Sequence, residues 1–332
     1  MNDFSQRILD WYAENARDLP WRRTQDPYAV WLSEIILQQT RIAQGTTYWQ
    51  RFMERFPTVQ DLAEASEDEV LRLWEGLGYY SRARNLHAAA RQIVARGAFP
   101  DTLEGIRSLK GVGDYTAAAI GSICFGIPAA VVDGNVYRVL ARHFGISTPV
   151  GTTEAKKEFT LLADKLLPEK EASAFNQGMM DFGALQCTPQ HPDCLSCPLQ
   201  ASCDAFRTGR THLLPLKKTA AKPREQRLSY VYVRLDGETA IRRRGPGDIW
   251  QGLYEPLVPA PERLREASPV LLKAGVKHQL THRTILADFY LWEPSSRPEL
   301  PEGYKWIKEA ELDNYAKPRL FELLLETIQA FP

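Results

Sequence analysis

Two carboxylates stand in apolar company, where an acid is costly. Between Tyr28 and Leu37 every residue is apolar except Ser33 and Glu34. Asp26 can cap this stretch as a helix, with Pro27 at its first position. A helix so uniformly apolar is buried nearly all round. Glu34 then faces low dielectric, which raises a carboxyl pKa and favours the protonated form near neutral pH. A protonated acid in a dry pocket can serve as a general acid. An edge position or a structural ion pair would also account for a carboxylate here. Asp133 follows the apolar run 127–132 and precedes Gly134, Asn135 and a helix over 136–143. It is a good N-cap, and the amides it caps would keep it ionised. One acid held protonated and one held ionised is the division of labour that glycosidic bond cleavage needs.

Four of the five cysteines crowd one segment: Cys187, Cys194, Cys197 and Cys203, spaced C-x6-C-x2-C-x5-C. Zinc sites usually come as two C-x2-C pairs, and only one pair has that spacing here. The gaps fit a four-thiolate wrap around a cubane iron–sulfur cluster better. Zinc and metal-free buried thiols remain open on spacing alone. Cys124 sits in an apolar helical stretch and reads as a small core residue.

A third constellation is a turn. Leu109-Lys110-Gly111-Val112-Gly113 runs straight into Asp114-Tyr115-Thr116-Ala117-Ala118-Ala119-Ile120. Gly111 and Gly113 open a tight turn, and a helix starts at once. Its first amides point outward and can grip a DNA phosphate without reading sequence. An ordinary interhelical turn is the alternative. No strand precedes it and Thr116 replaces the third glycine, so it is no dinucleotide fingerprint.

The elements that must hold these groups are helical up to about residue 205, with stretches at 59–73, 79–96, 116–125 and 153–167. Residues 206–227 carry seven basic residues against one acid, Glu225, and read as a basic linker. From 228 the pattern turns to strands: 230–235, 239–243 after an Asp236-Gly237 hairpin signal, 275–280, 284–292 and 304–307. A helix over 318–330 closes the chain, giving an α+β second domain. The 332 residues are 44% apolar and 25% charged, which excludes wholesale disorder. Lysine plus arginine equals aspartate plus glutamate at 41 each. That opposes indiscriminate DNA coating but not a local basic groove. No eighteen-residue apolar run and no basic-then-apolar N-terminus occur, so the expectation is a cytoplasmic protein without a membrane partner.

Taken together, these pieces resemble the helix-hairpin-helix DNA glycosylases that carry an iron–sulfur loop, and within them the adenine DNA glycosylase (MutY) family, over essentially the whole chain. The carriers are residues 31–40 (Trp-Leu-Ser-Glu-Ile-Ile-Leu-Gln-Gln-Thr), 76–85 (Gly-Leu-Gly-Tyr-Tyr-Ser-Arg-Ala-Arg-Asn), 111–116, 132–136 and the four cysteines. The resemblance implies a six-helix domain over about 21–130 and an iron–sulfur helical domain from about 1–20 and 131–205. A Nudix-like domain over 228–332 would recognise the lesion. It further implies a [4Fe-4S] cluster on Cys187, Cys194, Cys197 and Cys203, and a monomer acting at the nucleoid. The expected substrate is double-stranded DNA holding adenine opposite 8-oxoguanine or guanine. By the same resemblance Glu34 protonates adenine N7 and Asp133 stabilises or attacks the sugar cation. Tyr115 and Asn135 assist, while Trp21, Arg22 and Gln177 line the adenine pocket. Gln39 and Thr40 fill the space left by the flipped base, and Tyr79 wedges beside the oxidised guanine, although a core aromatic would also suit Tyr79. Relatives that cleave the strand have lysine where Tyr115 stands; tyrosine forms no imine, so a monofunctional enzyme is implied.

In the second domain the resemblance centres on Gly247-Asp248-Ile249-Trp250-Gln251-Gly252-Leu253-Tyr254-Glu255. Its lesion-reading turn, Phe-Ser-His in the family, is here Leu280-Thr281-His282. Lys110 stands where the hairpin motif usually has proline. No glutamate spacing suits a Nudix magnesium site, which opposes a pyrophosphatase. A pyrimidine-lesion glycosylase with lyase activity is opposed by Tyr115 and the second domain. A non-catalytic DNA-binding or electron-transfer protein is opposed by the two placed acids.

Overall fold

Several helices in the N-terminal part of the chain start where a short polar side chain catches a free amide. The computed structural model describes residues 3–219, 223–260, 264 and 266–331. The basic linker expected over 206–227 therefore lies partly outside the described residues, at 220–222, Lys222 among them. The chain divides into two compact units: Met1–Ala63 with Ala88–Thr219, and Glu64–His87 with Ala220–Pro332.

In the first unit the helices are α1 (Asp3–Asn15), α2 (Pro27–Ile36), α3 (Ile42–Arg55), α4 (Val59–Glu64), the later part of α6 (Ser81–Arg96), α7 (Leu103–Arg107), α8 (Asp114–Phe125), α9 (Gly134–Phe144), α10 (Thr153–Leu166), α11 (Ala172–Leu185) and α12 (Asp204–Arg207). Asp26, Thr102, Asp133 and Thr152 cap α2, α7, α9 and α10 through side-chain oxygens, each contributing about 0.5–2 kcal/mol. Every residue of α2 from Tyr28 to Ile36 is buried, Ser33 and Glu34 included. The helix packs on α8, which is buried from Thr116 to Ser122. A second core of Phe4, Ile8, Leu140, Phe159, Phe175 and Phe182 unites α1, α9, α10 and α11. Gly183 is required where α11 meets α9: a Cβ there would lie 2.6 Å from Asn135 Cβ. The expected helical stretch 59–73 is two helices, because Ser66 accepts the Glu69 amide and starts α5 (Glu67–Leu73) afresh. No helix among the described residues is long and apolar enough to cross a membrane.

Among the described residues, the second unit combines α5 and the start of α6 with six strands and a last helix, α13 (Arg319–Gln329). The strands are β1 (Arg224–Val233), β2 (Glu238–Arg243), β3 (Tyr254–Glu255), β4 (Val270–Gln279), β5 (Arg283–Trp292) and β6 (Tyr304–Lys308). They form two three-stranded sheets, β1-β5-β4 and β3-β2-β6, with β1 and β5 parallel. The Asp236-Gly237 turn is present with both residues left-handed (φ 50° and 75°), as a tight hairpin turn demands. It does not make the hairpin that the signal suggests: beyond the Leu235–Glu238 bridge, β1 and β2 part into different sheets. The real hairpin is β4–β5, whose tip is Leu280-Thr281-His282, closed by Leu280 N donating to Arg283 O at 2.8 Å. Segment 64–87 is tied in by Lys317 N to Glu75 (2.9 Å), Arg84 to the Gln251 carbonyl (2.6 Å) and Arg243 to Glu67 (2.9 Å).

Candidate active site

A cavity of about 440 Å³ opens in the first unit, and Glu34, Tyr115, Asp133, Asn135, Trp21, Arg22, Gln39, Thr40 and Gln177 all line it. These residues come from the turn 20–22, the end of α2, the starts of α8 and α9, and α11. They are distant in sequence and converge because the heads of α8 and α9 both face the C-terminal half of α2.

Glu34 is buried, and burial pushes its carboxyl up to about 7. The Tyr115 hydroxyl and the Arg22 guanidinium pull the other way, while the Asp133 charge pushes with burial. Asp133 has no freedom to turn. Its Oδ1 accepts the amides of Asn135 and Val136, both at 2.8 Å, and its Oδ2 accepts Asn135 Nδ2 at 2.7 Å. Burial lifts this carboxyl above its ordinary range, against the opposing pull of those three donors and of Arg138. Three donors to the charged form give Asp133 a means of bearing charge. Arg138, which sequence reasoning passed over, holds the cap in place: Nη2 donates to Asn135 Oδ1 at 2.7 Å and to the Gly183 carbonyl at 2.6 Å.

One side of the cavity is set by Trp21, edge-on to Trp49 at 5.9 Å, and by Gln177, whose amide is held by Tyr12 and Ser173. Arg22 is held by Asp181, a residue the sequence did not mark. Gln39 is exposed at the mouth with φ +58°. A non-glycine residue in that region costs on the order of 1–3 kcal/mol, and such strain clusters where side chains must be aimed.

Other expected residues lie elsewhere. Tyr79, Thr281 and His282 line a separate cavity of about 820 Å³ in the second unit. Tyr79 is exposed, not a core aromatic, and also left-handed (φ +48°); its hydroxyl shares a 2.5 Å hydrogen bond with Thr281. Trp250 backs this cavity, with Arg244 over its face at 5.2 Å and His278 at 5.8 Å. Gly111 and Gly113 line neither cavity. Gly111 is left-handed (φ +78°) and Gly113 is the N-cap of α8, so the turn presents the first amides of that helix.

Cys187, Cys194, Cys197 and Cys203, all half-buried, line one small cavity with Arg142. Among the described residues no three His, Cys, Asp or Glu side chains gather as a site for a single ion. Mononuclear zinc draws all four sulfurs to about 2.3 Å from one centre, whereas each iron of a cubane takes one thiolate. Four thiolates around one cavity are a donor set suited to a soft metal centre. Buried Arg142 braces the loop, donating to the carbonyls of Thr188 (2.7 Å), Pro189 (2.9 Å) and Leu214 (3.0 Å) and to Cys187 Sγ (3.4 Å).

Comparison with known proteins agrees with this layout. Residues 32–165 match the HhH-GPD superfamily base excision DNA repair proteins, and residues 229–327 match the NUDIX domain. The chain is 36% identical over 255 residues to the adenine DNA glycosylase of Buchnera aphidicola (subspecies Acyrthosiphon pisum), covering 76% of this chain and 73% of that one. It is 45% identical over 213 residues to the human adenine DNA glycosylase, covering 61% of this chain; the match spans only 39% of the human protein's length. A solved thermostable thymine-DNA glycosylase superimposes with a TM-score of 0.58 at 32% identity, over 62% of this chain and 95% of that one. An endonuclease III in non-covalent complex with DNA superimposes at 0.53 and 25% identity, over 62% and 94%.

Proposed function

The chain belongs to the adenine DNA glycosylase family, and on that footing we propose that it hydrolyses the N-glycosidic bond of adenine mispaired with 8-oxoguanine or guanine in double-stranded DNA, leaving an abasic site. The observation that carries this reading is the pairing of buried Glu34 with half-buried Asp133 in one cavity, with Glu34 pushed up to about 7 and Asp133 fixed by three donors. An adenine flipped out of the stack enters the cavity, and Trp21, Arg22 and Gln177 hold it there. Flipping costs a few kcal/mol, and a stacked aromatic returns on the order of 1–3 kcal/mol. Glu34 donates a proton to N7, which turns adenine into a competent leaving group. Asp133 meets the positive charge that develops on the sugar, as stabilising carboxylate or as nucleophile. Tyr115 lies beside Glu34, where its hydroxyl can help place the acid. Gly111 and Gly113 would seat a backbone phosphate on α8. Gln39 and Thr40 would occupy the gap in the duplex, and Tyr79, Thr281 and His282 would read the base opposite adenine. The protein would act where the DNA is, at the nucleoid in a bacterial cytoplasm, as a monomer.

The deciding assay is excision from duplexes with adenine opposite 8-oxoguanine, guanine or thymine. Adenine should be released fastest opposite 8-oxoguanine. The strand should stay whole until alkali is added, and borohydride should trap little protein, because Tyr115 has no amine to form an imine. Release of thymine or of an oxidised pyrimidine instead, or abundant trapped adduct, would overturn the reading.

Cys187, Cys194, Cys197 and Cys203 would hold a [4Fe-4S] cluster, whose bonds cross-link the 187–203 loop. Natively purified protein should be yellow-brown, with about four irons per chain if a single cubane is held. Replacing Cys197 with serine should lower the iron content and the melting temperature together. Stoichiometric zinc without iron would remove the cluster from the reading.

A further inference from the structure

Asp181 on α11 is fully buried and does not line the cavity, yet it ties down two residues that do. Its carboxylate accepts five N–H groups. Arg17 supplies its backbone amide at 3.0 Å, Nε at 2.8 Å and Nη2 at 2.5 Å. Arg22 supplies Nη1 at 2.6 Å and Nη2 at 2.8 Å. Two guanidinium forks on one carboxylate fix geometry as well as charge. Asp181 lies four residues beyond Gln177 on the same helix, so both belong to the face that borders the cavity. Arg22 is the cation that Glu34 senses. An unpartnered Arg22 would favour ionised Glu34 and so deprive the acid of the proton it has to give.

Building on the reaction proposed above, we propose that Asp181 is a positioning residue for adenine excision: it aims Arg22 into the cavity that Glu34 also lines and cancels its charge there. The groups that face Glu34 are Arg22 from the turn 20–22, Tyr115 and Cys124 from α8, and Asp133 at the head of α9, with Arg17 and Asp181 behind Arg22. The trio Arg17–Asp181–Arg22 carries one net positive charge. Removing the carboxylate raises that to two; removing Arg17 lowers it to zero. The two changes must therefore move Glu34 in opposite directions.

The test is single-turnover adenine excision across pH for the parent, Glu34→Gln, Asp181→Asn, Asp181→Glu and Arg17→Met. The parent rate should fall as pH rises through about 7, where Glu34 loses its proton. In Asp181→Asn that fall should move to lower pH by roughly one unit, with excision recovering at the acid end. Arg17→Met should move it to higher pH, and Asp181→Glu, which keeps the charge, should lie near the parent. A uniform loss at every pH in both Asp181→Asn and Arg17→Met, with the fall unmoved, would reduce Asp181 to a packing clamp and overturn the proposal. If Asp181→Asn does not fold, Arg17→Met decides by itself: its fall either moves to higher pH or the proposal fails. A parent profile without a fall that depends on Glu34 would instead sink the general-acid reading, an outcome separate from either result for Asp181.

Discussion

Glu34→Gln should abolish most adenine excision and at the same time make the protein more stable above neutral pH. Adenine leaves readily only when N7 is protonated, and glutamine, though nearly isosteric, has no proton to release. General acid catalysis contributes roughly 10²–10⁴-fold, so single-turnover excision should fall at least that far. Binding of the mispaired duplex should stay close to the parent. The stability gain follows from the direction of the shift. Burial raises this carboxyl from about 4.5 to about 7. The unfolded chain therefore ionises first, and folding is penalised as pH rises from about 4.5, with the full penalty above 7. Removing the ionisable group removes a penalty on the order of 1–3 kcal/mol at pH 8, and nothing below about pH 4. Urea titrations at the two pH values measure it. Near-normal excision by the variant would take Glu34 out of the mechanism. An equal stability at both pH values would mean that Glu34 is not desolvated in the folded protein.

Asp133→Asn separates two jobs held by one side chain. Asparagine caps a helix about as well as aspartate, so α9 should still start at Gly134 and the melting temperature should change little. On the proposed reaction, what is lost is the negative charge that would face the sugar. Pre-placed electrostatic groups of this kind are worth about 10²–10³-fold, and excision should fall by at least that amount. Asp133→Ala should show the same loss of rate and, in addition, about 1 kcal/mol of destabilisation from the missing cap. A variant series in which rate follows stability, with Asp133→Asn active and only Asp133→Ala impaired, would leave Asp133 as a cap alone.

Glu34 and Asp133 were legible in the sequence because each breaks an apolar run, and a charged interruption of a buried stretch is visible without knowing the fold. The cysteines were legible because their spacing is local. Asp181 was not, for the opposite reason. It sits in the α11 stretch among Met179, Met180, Phe182 and Gly183 like any helix acid, and its partners Arg17 and Arg22 lie some 160 positions away. No spacing rule links them. Arg138 and Arg142 were missed likewise, since their targets are mainly carbonyls exposed by distant loops. In the second unit the strands were legible by composition, but their partners were not. The parallel pairing of β1 with β5 leaves no local trace, whereas the Asp236-Gly237 turn advertises a neighbour that β1 largely does not take. The break between α4 and α5 was available: Ser66 followed by Glu69 is a capping-box signature.

The second unit draws on two stretches of chain, 64–87 and 220–332, and this orders events on the ribosome. Leu71, Trp74 and Tyr80 are buried in the finished protein, and segment 64–87 is anchored by Arg243, Gln251 and Lys317. Those anchors are translated on the order of ten seconds later. Through that lag the nascent chain carries the apolar side chains Leu71, Trp74 and Tyr80 without the anchors that hold their segment in the finished protein. The entropy of closing so long a separation rises only logarithmically with its length, so the delay is set by translation more than by the closure itself. The time taken to translate residues 88 to 317, which never touches the protein's equilibrium, thereby sets how long segment 64–87 waits for its partners.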